Sequence, residues 1–332
     1  MKKLMTGDEA IARGAYEAGV RHASAYPGTP STEILENIST YKEIYAEWAP
    51  NEKVAMESAI GAAIGGARSI VSMKHVGMNV AADPSDSQEC IDMVKAAYEL
   101  GEKYDTPFVI RMTTRVCHSK SVVELHDRVE IPLKDWEKNP QKYVCLPAHA
   151  RPMRVKLEER LEKLAEYSET SPFNRVEMGD TSVGVIASGI CYYYAKEVWG
   201  DKASYLKLGF TNPMPANLIK DFCSKVDKVY ILEENDPYIE EFVKLQGCEC
   251  VGKEIFPKWG EMTPDVIRAA VGGEKPKTIE FDHSKLINRA PTFCAGCPHR
   301  GMFYRLGKRK DIMISGDIGC YTLAAGAPYK AM

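Results

Sequence analysis

The segment His22-Ala-Ser-Ala-Tyr26-Pro-Gly-Thr-Pro-Ser-Thr32 indicates the fold class of this chain. Its first five residues predict a short strand, which the following proline and glycine bring to an end. Residues 27–32 predict a turn that opens the next helix. A strand that passes through a tight turn into a helix is the repeating step of a parallel sheet flanked by helices.

The same alternation continues on both sides of this segment. Thr6 and Glu9 form a capping-box pattern ahead of a helix that ends near Gly19. Asn51 is placed to cap a long helix through residue 67, and Ser85 with Gln88 forms a second capping-box pattern. A short buried strand is expected at 44–48, and further strands are expected at 69–73 and 107–113. We therefore predict a mostly parallel α/β module over residues 1–125.

The rest of the chain divides into a second α/β unit and shorter pieces. Residues 126–180 are expected to form a connector that includes a charged helix at 154–169. From 181 to 275 strands and helices alternate again, which predicts a second α/β domain. Residues 276–292 are polar and read as a linker. Residues 293–332 contain a predicted helix, a predicted strand at 312–315 and the start of another helix, too little for a core of their own.

Composition narrows the class of protein. The 332 residues are 45% hydrophobic and 27% charged, with a formal net charge of −3. This balance gives no reason to expect a nucleic-acid partner. We expect no membrane span, because no apolar run of about 18 residues occurs. Ten cysteines without a secretion signal indicate reduced thiols or metal ligands in a cytoplasmic protein.

Three cysteines near the end of the chain are candidate metal ligands. Cys294-Ala-Gly-Cys297 presents two thiolates from one loop, and Cys320 follows the predicted strand and a glycine turn. Together they supply three corners of an iron–sulfur or zinc site. With zinc, His299 is a candidate fourth ligand. Unligated thiols are the remaining alternative.

Glu57 is a candidate catalytic and cofactor-binding residue. Glu57, Gly61 and Gly65 are spaced four residues apart, so they share one face of the predicted helix. Small residues there allow close approach of a flat ligand, and a poorly solvated carboxylate would take a strong hydrogen-bond donor. The aminopyrimidine ring of thiamine diphosphate offers such a donor. The alternative is a glutamate at the helix edge paired with Lys53.

Thr29 is the second candidate catalytic residue. It lies between a predicted strand end and a helix start, where ligands bind in open α/β sheets. Helix N-terminal amides also favour anions such as carboxylates. The alternative is a proline turn with hydroxyl caps and no ligand.

The chain resembles the large subunits of indolepyruvate:ferredoxin oxidoreductases, in the thiamine-dependent 2-oxoacid:ferredoxin oxidoreductase superfamily. The resemblance covers nearly the whole chain and rests on several motifs. They are Tyr26-Pro-Gly-Thr-Pro-Ser, Asn51-Glu-Lys-Val-Ala-Met-Glu57, the segments 73–84 and 85–89, Thr114-Arg-Val-Cys-His-Ser-Lys120, the segments 207–211 and 233–237, Cys294-Ala-Gly-Cys297-Pro-His-Arg-Gly and Ser315-Gly-Asp-Ile-Gly-Cys320-Tyr-Thr-Leu.

The resemblance implies three modules: a pyrimidine-binding module, a transketolase C-terminal-like domain and the beginning of a diphosphate-binding module. It implies that Glu57 faces the aminopyrimidine, that Thr29 lies near the substrate, and that Cys294, Cys297 and Cys320 ligate a [4Fe-4S] cluster. It also implies thiamine diphosphate, Mg²⁺, a smaller beta subunit, ferredoxin, coenzyme A and an aryl-pyruvate substrate. Two electrons would leave one at a time through iron–sulfur clusters.

The sequence departs from the family pattern in two places. After Asp83-Pro84 the family continues for several dozen residues, whereas here Ser85 follows at once. The family's magnesium motif and its ferredoxin-like domain are also absent. We therefore expect an internally deleted and truncated copy or one piece of a split gene, with the isolated chain inactive. The alternatives are a non-catalytic remnant or scaffold and a zinc-binding module.

Overall fold

The computed structural model describes residues 1–74, 83–273, 279, 281–287, 291–316 and 320–331. Its strands are β1 (Lys2–Thr6), β2 (His22–Ala25), β3 (Tyr45–Trp48), β4 (Ser69–Ser72), β5 (Lys120–Glu124), β6 (Asn174–Glu177), β7 (Gly184–Ser188), β8 (Ser204–Leu208) and β9 (Val229–Leu232). Its α-helices are α1 (Gly7–Glu17), α2 (Thr32–Ile38), α3 (Glu52–Ile64), α4 (Ser87–Tyr104), α5 (Thr114–His118), α6 (Pro140–Tyr143), α7 (Pro147–Thr170), α8 (Cys191–Trp199), α9 (Ala216–Cys223), α10 (Tyr238–Leu245), α11 (Pro264–Ala270) and α12 (Pro298–Leu306). The predicted α/β fold is confirmed.

The first unit is built on a three-stranded parallel sheet in the order β3-β2-β4. A separate antiparallel pair joins β1 to β5, and sequence reasoning did not predict β1. The strand expected at 44–48 is present, but the expectation that it is buried is wrong. β3 lies at the edge of the sheet, and its Tyr45 and Trp48 are exposed.

Two of the three predicted helix starts are confirmed. Thr6 and Glu9 form the reciprocal capping box of α1, and Asn51 Oδ1 accepts a hydrogen bond of 2.9 Å from the Val54 amide at the start of α3. The prediction for Ser85 is wrong. The N-cap of α4 is Asp86, whose carboxylate accepts from the Glu89 amide, and Ser85 instead donates its hydroxyl to Glu89 Oε2.

Residues 107–113, predicted as a strand, are assigned a bridge at Ile110 and no longer strand. Side chains also anchor the segment. The ring of Phe108 lies 6.0 Å from that of Phe210, and Arg111 forms a bidentate ion pair with Asp83 at 2.7 and 2.9 Å. The segment is therefore held by side-chain packing as well as by backbone pairing.

The second unit has a four-stranded sheet in the order β6-β8-β7-β9. β7, β8 and β9 run parallel, as predicted, and β6 joins antiparallel at the edge. Every residue of β7, β8 and β9 is buried. Two apolar clusters, one around Val185 and one around Ile186, cover the two faces of this sheet.

A buried ion pair joins the two units. Lys207 on β8 is fully buried and donates to Glu89 Oε1 on α4. Arg175 on β6 lies 3.4 Å from the same oxygen. Burial lowers the pKa of Lys207, and Glu89 opposes this effect. The contact fixes the long helix α4 against the second sheet.

The C-terminal segment packs as a small aromatic cluster. Phe293, Phe303 and Tyr329 pack together with α12, so these residues do bury a minor core. The strand predicted at 312–315 is wrong, since those residues have no strand pairing in the described structure. Most of the motif at 73–84, much of the linker at 276–292 and residues 317–319 lie outside the described residues. Among the described helices, none has the length and apolarity to cross a bilayer.

Candidate functional site

The turn that carries Thr29 lies at the carboxyl end of the first parallel sheet. The amide of Gly28 donates to the Thr32 hydroxyl at 3.0 Å, and the Ser31 hydroxyl donates to the Gly28 carbonyl at 3.0 Å. A Cβ atom on Gly28 would lie 2.9 Å from Lys74 Cβ, so glycine permits this close approach. Thr29 itself is exposed at the tip of the turn. The predicted position at a strand end is therefore observed.

Helix α3 begins at the same edge, because it follows β3 directly. Two serine hydroxyls hold it against the sheet. Ser24 on β2 donates to the Ala55 carbonyl at 2.6 Å, and Ser69 on β4 donates to the Ala59 carbonyl at 2.8 Å. Ala55 and Ala59 are the two buried residues of α3. The helix thus contacts the sheet along a narrow line of small residues.

Glu57 and Gly61 lie on the opposite, open side of α3. The Glu57 side chain is 62% exposed, and its carboxylate lies 3.7 Å from Lys53 Nζ. A Cβ atom on Gly61 would meet no other atom within 4 Å. The expectation of a poorly solvated carboxylate is therefore wrong for this chain, and the alternative pairing with Lys53 is present. Because both side chains are exposed, the ion pair itself contributes little to the stability of the fold.

The residues on this open face of α3 match the aminopyrimidine end of thiamine diphosphate and do not match its diphosphate end. Glu57 offers a hydrogen-bond acceptor and Gly61 leaves room for a flat ring, as the aminopyrimidine requires. No second surface of the described chain covers that face, however. The residues present can therefore supply a contact to the ring, and they do not form a closed pocket around it.

The cysteine loop stands at the start of α12. Cys297 is the N-cap residue, and its amide donates to the Cys294 carbonyl at 3.2 Å across a turn that contains Gly296 at φ 75°. Tyr321, beside Cys320, packs its ring 5.0 Å from that of His299. The fold therefore brings the loop of Cys294 and Cys297 near the segment of Cys320. Cys294 and Cys320 are exposed.

The three sulfur atoms are not arranged for a single zinc ion. They do not all lie within 4.8 Å of one another, since no such group among the described residues includes them. Tetrahedral coordination at a Zn–S distance of about 2.3 Å would place sulfurs roughly 3.8 Å apart. The geometry offers no support to the zinc alternative, and the [4Fe-4S] assignment stays a prediction.

A small cleft between the two units escaped sequence reasoning. Its lining includes Asp83, Arg111, Ser188, Gly189 and Glu234. Gly189 adopts φ 53° between β7 and α8, which lies at the carboxyl end of an inner parallel strand. Burial raises the pKa of Glu234, and Arg111 opposes the rise. The rule that ligands bind beyond the carboxyl ends of parallel strands could have predicted a cleft after β7. The rule does not predict that Glu234, which is distant in sequence, lines this cleft.

Comparisons with known proteins agree with the resemblance. A family model for "Pyruvate flavodoxin/ferredoxin oxidoreductase, thiamine diP-bdg" matches residues 13–78. The indolepyruvate oxidoreductase subunit IorA of Archaeoglobus fulgidus is 35% identical, with 100% of this chain and 65% of that protein aligned. The IorA subunit of Methanothermobacter marburgensis is 36% identical, with 99% and 65% aligned. The chain thus spans slightly less than two thirds of these curated relatives.

The alignments also show that the relatives contain residues absent from this chain. The alignment to the Archaeoglobus protein runs over 414 positions, so at least 82 of them (414 − 332) face gaps here. A 2-oxoglutarate:ferredoxin oxidoreductase from Magnetococcus marinus, solved with 2-oxoglutarate, coenzyme A and succinyl-CoA, has the same fold, with TM-score 0.64 and 16% identity over 82% of this chain and 65% of that one. These similarities support an IorA-type alpha subunit of the 2-oxoacid:ferredoxin oxidoreductases, to which the chain is related along its whole length.

Proposed function

We propose that this chain is a subunit of an oxidoreductase that oxidatively decarboxylates aryl pyruvates such as indolepyruvate and forms acyl-CoA. The observation that carries the proposal is identity of 35% to an IorA subunit along the whole chain. A smaller beta subunit and ferredoxin would complete the electron path. The ten free cysteines fit a cytoplasmic location, where thiols stay reduced.

Thiamine diphosphate, when bound, would supply the carbanion that attacks the 2-oxoacid. The role we assign to Glu57 is to accept a hydrogen bond from the aminopyrimidine ring, which favours ionisation of the cofactor. Gly61 would leave space for that ring on the same helix face. Thr29 would orient the substrate carboxylate with its hydroxyl. Cys294, Cys297 and Cys320 would hold the [4Fe-4S] cluster that accepts the electrons.

We further propose that the isolated chain does not complete the cofactor site. The open face of α3 supports this, because Glu57 is solvated and Gly61 has no neighbour within 4 Å of a Cβ position. A Mg²⁺–diphosphate group also needs charge neutralisation, and a helix N-terminus contributes only about 0.3–2 kcal/mol. A covering module, in the same or another polypeptide, would supply both needs. The same exposure of α3 also supports the alternative that the chain is a non-catalytic remnant or scaffold.

The test compares the chain alone with the chain plus a beta subunit and a module that covers α3. Indolepyruvate-dependent reduction of ferredoxin is expected only in the assembled sample, and anaerobic protein is expected to be brown with about four irons per chain. Glu57→Gln should lower the assembled rate at least about tenfold. Glu43→Gln, an exposed glutamate outside α3, is the matched control and should leave the rate unchanged.

Three results would contradict parts of the proposal. Calorimetric binding of thiamine diphosphate and Mg²⁺ by the chain alone at micromolar concentration would show that its site is complete. An assembled sample without activity or iron would favour the scaffold. Colourless protein with one zinc ion would favour the zinc-binding module.

A further inference from the structure

Three different metal-ligand side chains meet where three helices of the first unit converge. One ligand atom each from Asp8 on α1, Glu33 on α2 and His118 on α5 all lie within 4.8 Å of one another. No other group of three or more such residues occurs in the part of the chain that the structure describes. Distances of this size between the ligand atoms are suitable for side chains that bind one metal ion together.

A glycine makes this convergence possible. A Cβ atom on Gly7, the first residue of α1, would lie 2.3 Å from the Val116 carbonyl oxygen on α5. Only a residue without a side chain lets the two backbones approach this closely. The contact brings Asp8, the next residue, beside the end of α5 that carries Cys117 and His118.

The Asp8 carboxylate is buried and unpaired at the centre of the cluster. Asp8 is 1% exposed, and neither of its carboxylate oxygens has a hydrogen-bond partner. Glu33 Oε2 is buried without a partner as well. Within the described residues, no lysine or arginine lies within 4.0 Å of either carboxylate. Buried polar atoms of this kind are rare and usually reflect a missing partner.

The electrostatics agree with a missing cation. Burial raises the pKa of Asp8 to about 7, the neighbouring Cys117 thiol opposes the rise, and the charge of Glu33 adds to it. Two adjacent carboxylates in a site with little water cannot both stay ionised without a positive charge. A divalent cation would supply that charge.

We propose that Asp8, Glu33 and His118 form a binding site for a divalent transition-metal cation of the Zn²⁺ type. Mg²⁺ and Ca²⁺ prefer oxygen ligands alone, whereas an imidazole nitrogen favours Zn²⁺ and its neighbours in the periodic table. His118 is exposed, so the site opens to solvent on that side. Three protein ligands with room for water match the coordination of open zinc sites.

The bound ion would link the candidate substrate turn to the rest of the first unit. Glu33 is the second residue of α2, and the turn that carries Thr29 leads directly into that helix. An ion held jointly by α1, α2 and α5 would therefore fix the start of α2. Its predicted role is structural, and it does not depend on the function proposed above.

The test uses the full-length chain with Cys294, Cys297 and Cys320 replaced by serine, so that these thiols do not bind the probe metals. Zn²⁺ is titrated by calorimetry, Co²⁺ by visible absorption, and Mg²⁺ serves as a competitor. We expect one Zn²⁺ per chain, a Co²⁺ spectrum without thiolate charge-transfer bands, and a metal-dependent rise in the melting temperature. Asp8→Asn and His118→Ala should each weaken Zn²⁺ binding at least about tenfold.

His126→Ala is the matched control, because His126 is an exposed histidine of the same region that lies outside the cluster. Asp8→Asn keeps the side-chain shape and removes an unpaired buried charge, so its fold should persist without metal. Should it not fold, Glu33→Gln gives the same readout. Unchanged Zn²⁺ affinity in Asp8→Asn and His118→Ala, absence of binding, or equally tight Mg²⁺ binding would overturn the proposal.

Discussion

β2 in the first sheet and β7 in the second are both inner parallel strands. Each has an apolar cluster on one face, but the opposite faces of the two strands are covered differently. Along β7, Val185 and Ala187 enter one apolar cluster and Ile186 enters a second, so both faces are covered by core. Along β2, Ala23 and Ala25 enter an apolar cluster, whereas Ser24 faces α3 through a hydrogen bond. Among the described residues, the second sheet has an apolar cluster on each face, whereas the first has one on a single face.

This difference explains why α3 is open. A helix held by Ala55, Ala59 and two serine hydroxyls buries little area, so its outer residues remain in water. Val54 and Ile60 are exposed apolar residues on that helix. Glu57 and Gly61 share this uncovered surface, which is therefore where a cofactor and a covering module have room to bind. Three sets of substitutions test the comparison.

The largest effect is expected at the ion pair that joins the two units. Glu89→Gln leaves the Lys207 ammonium buried without its counter-charge, which should lower the free energy of unfolding by about 3–5 kcal/mol. Chemical denaturation followed by circular dichroism measures the change. Glu89→Gln combined with Lys207→Met should recover much of the loss, since no buried charge remains.

The exposed pair of Lys225 and Asp221 is the control, because Asp221→Asn there should cost less than about 0.5 kcal/mol. Equal losses at the two pairs would mean that the buried contact does not hold the units together. The account of Lys207 and Glu89 as the contact between the units would then need revision.

Matched isoleucine substitutions test the difference between the sheets directly. Ile186→Ala removes a fully buried side chain and should cost about 2–5 kcal/mol, because a cavity remains. Ile60→Ala removes a side chain that is 50% exposed and should change stability by less than about 0.5 kcal/mol. Both values come from equilibrium denaturation. A large loss for Ile60→Ala in the isolated chain would show that α3 is already covered.

The smallest effect is expected at the helix caps. Asn51→Ala removes the acceptor for the Val54 amide and should cost about 1 kcal/mol. We expect this loss of stability to appear as faster hydrogen exchange of the α3 amides, because few tertiary contacts hold that helix in place. Thr263→Ala, at the corresponding cap of α11, is the matched variant in the second unit. Slower exchange in α3 than in α11 after these changes would contradict the comparison.

Several elements of the fold followed from the sequence because their causes are local. The capping boxes and caps at Thr6 and Asn51 depend on residues three positions apart. The alternation of strands and helices over 181–275 was predicted, since the inner strands are continuous apolar runs separated by helices, whereas β6 lies in the segment expected to be a connector. At 107–113, where a strand was predicted, only a bridge at Ile110 is assigned, and the packing of Phe108 against Phe210 depends on a residue about a hundred positions away.

The sequence by itself determined the alternation of strands and helices, the family and the position of Thr29 beyond a strand end, because these follow from short-range patterns and motifs. Only the tertiary structure decided that Glu57 is solvated, that Lys207 pairs with Glu89, and that Asp8 meets Glu33 and His118. Burial and ion pairing depend on which distant surfaces come together. A helical face looks the same in a sequence whether water or protein covers it.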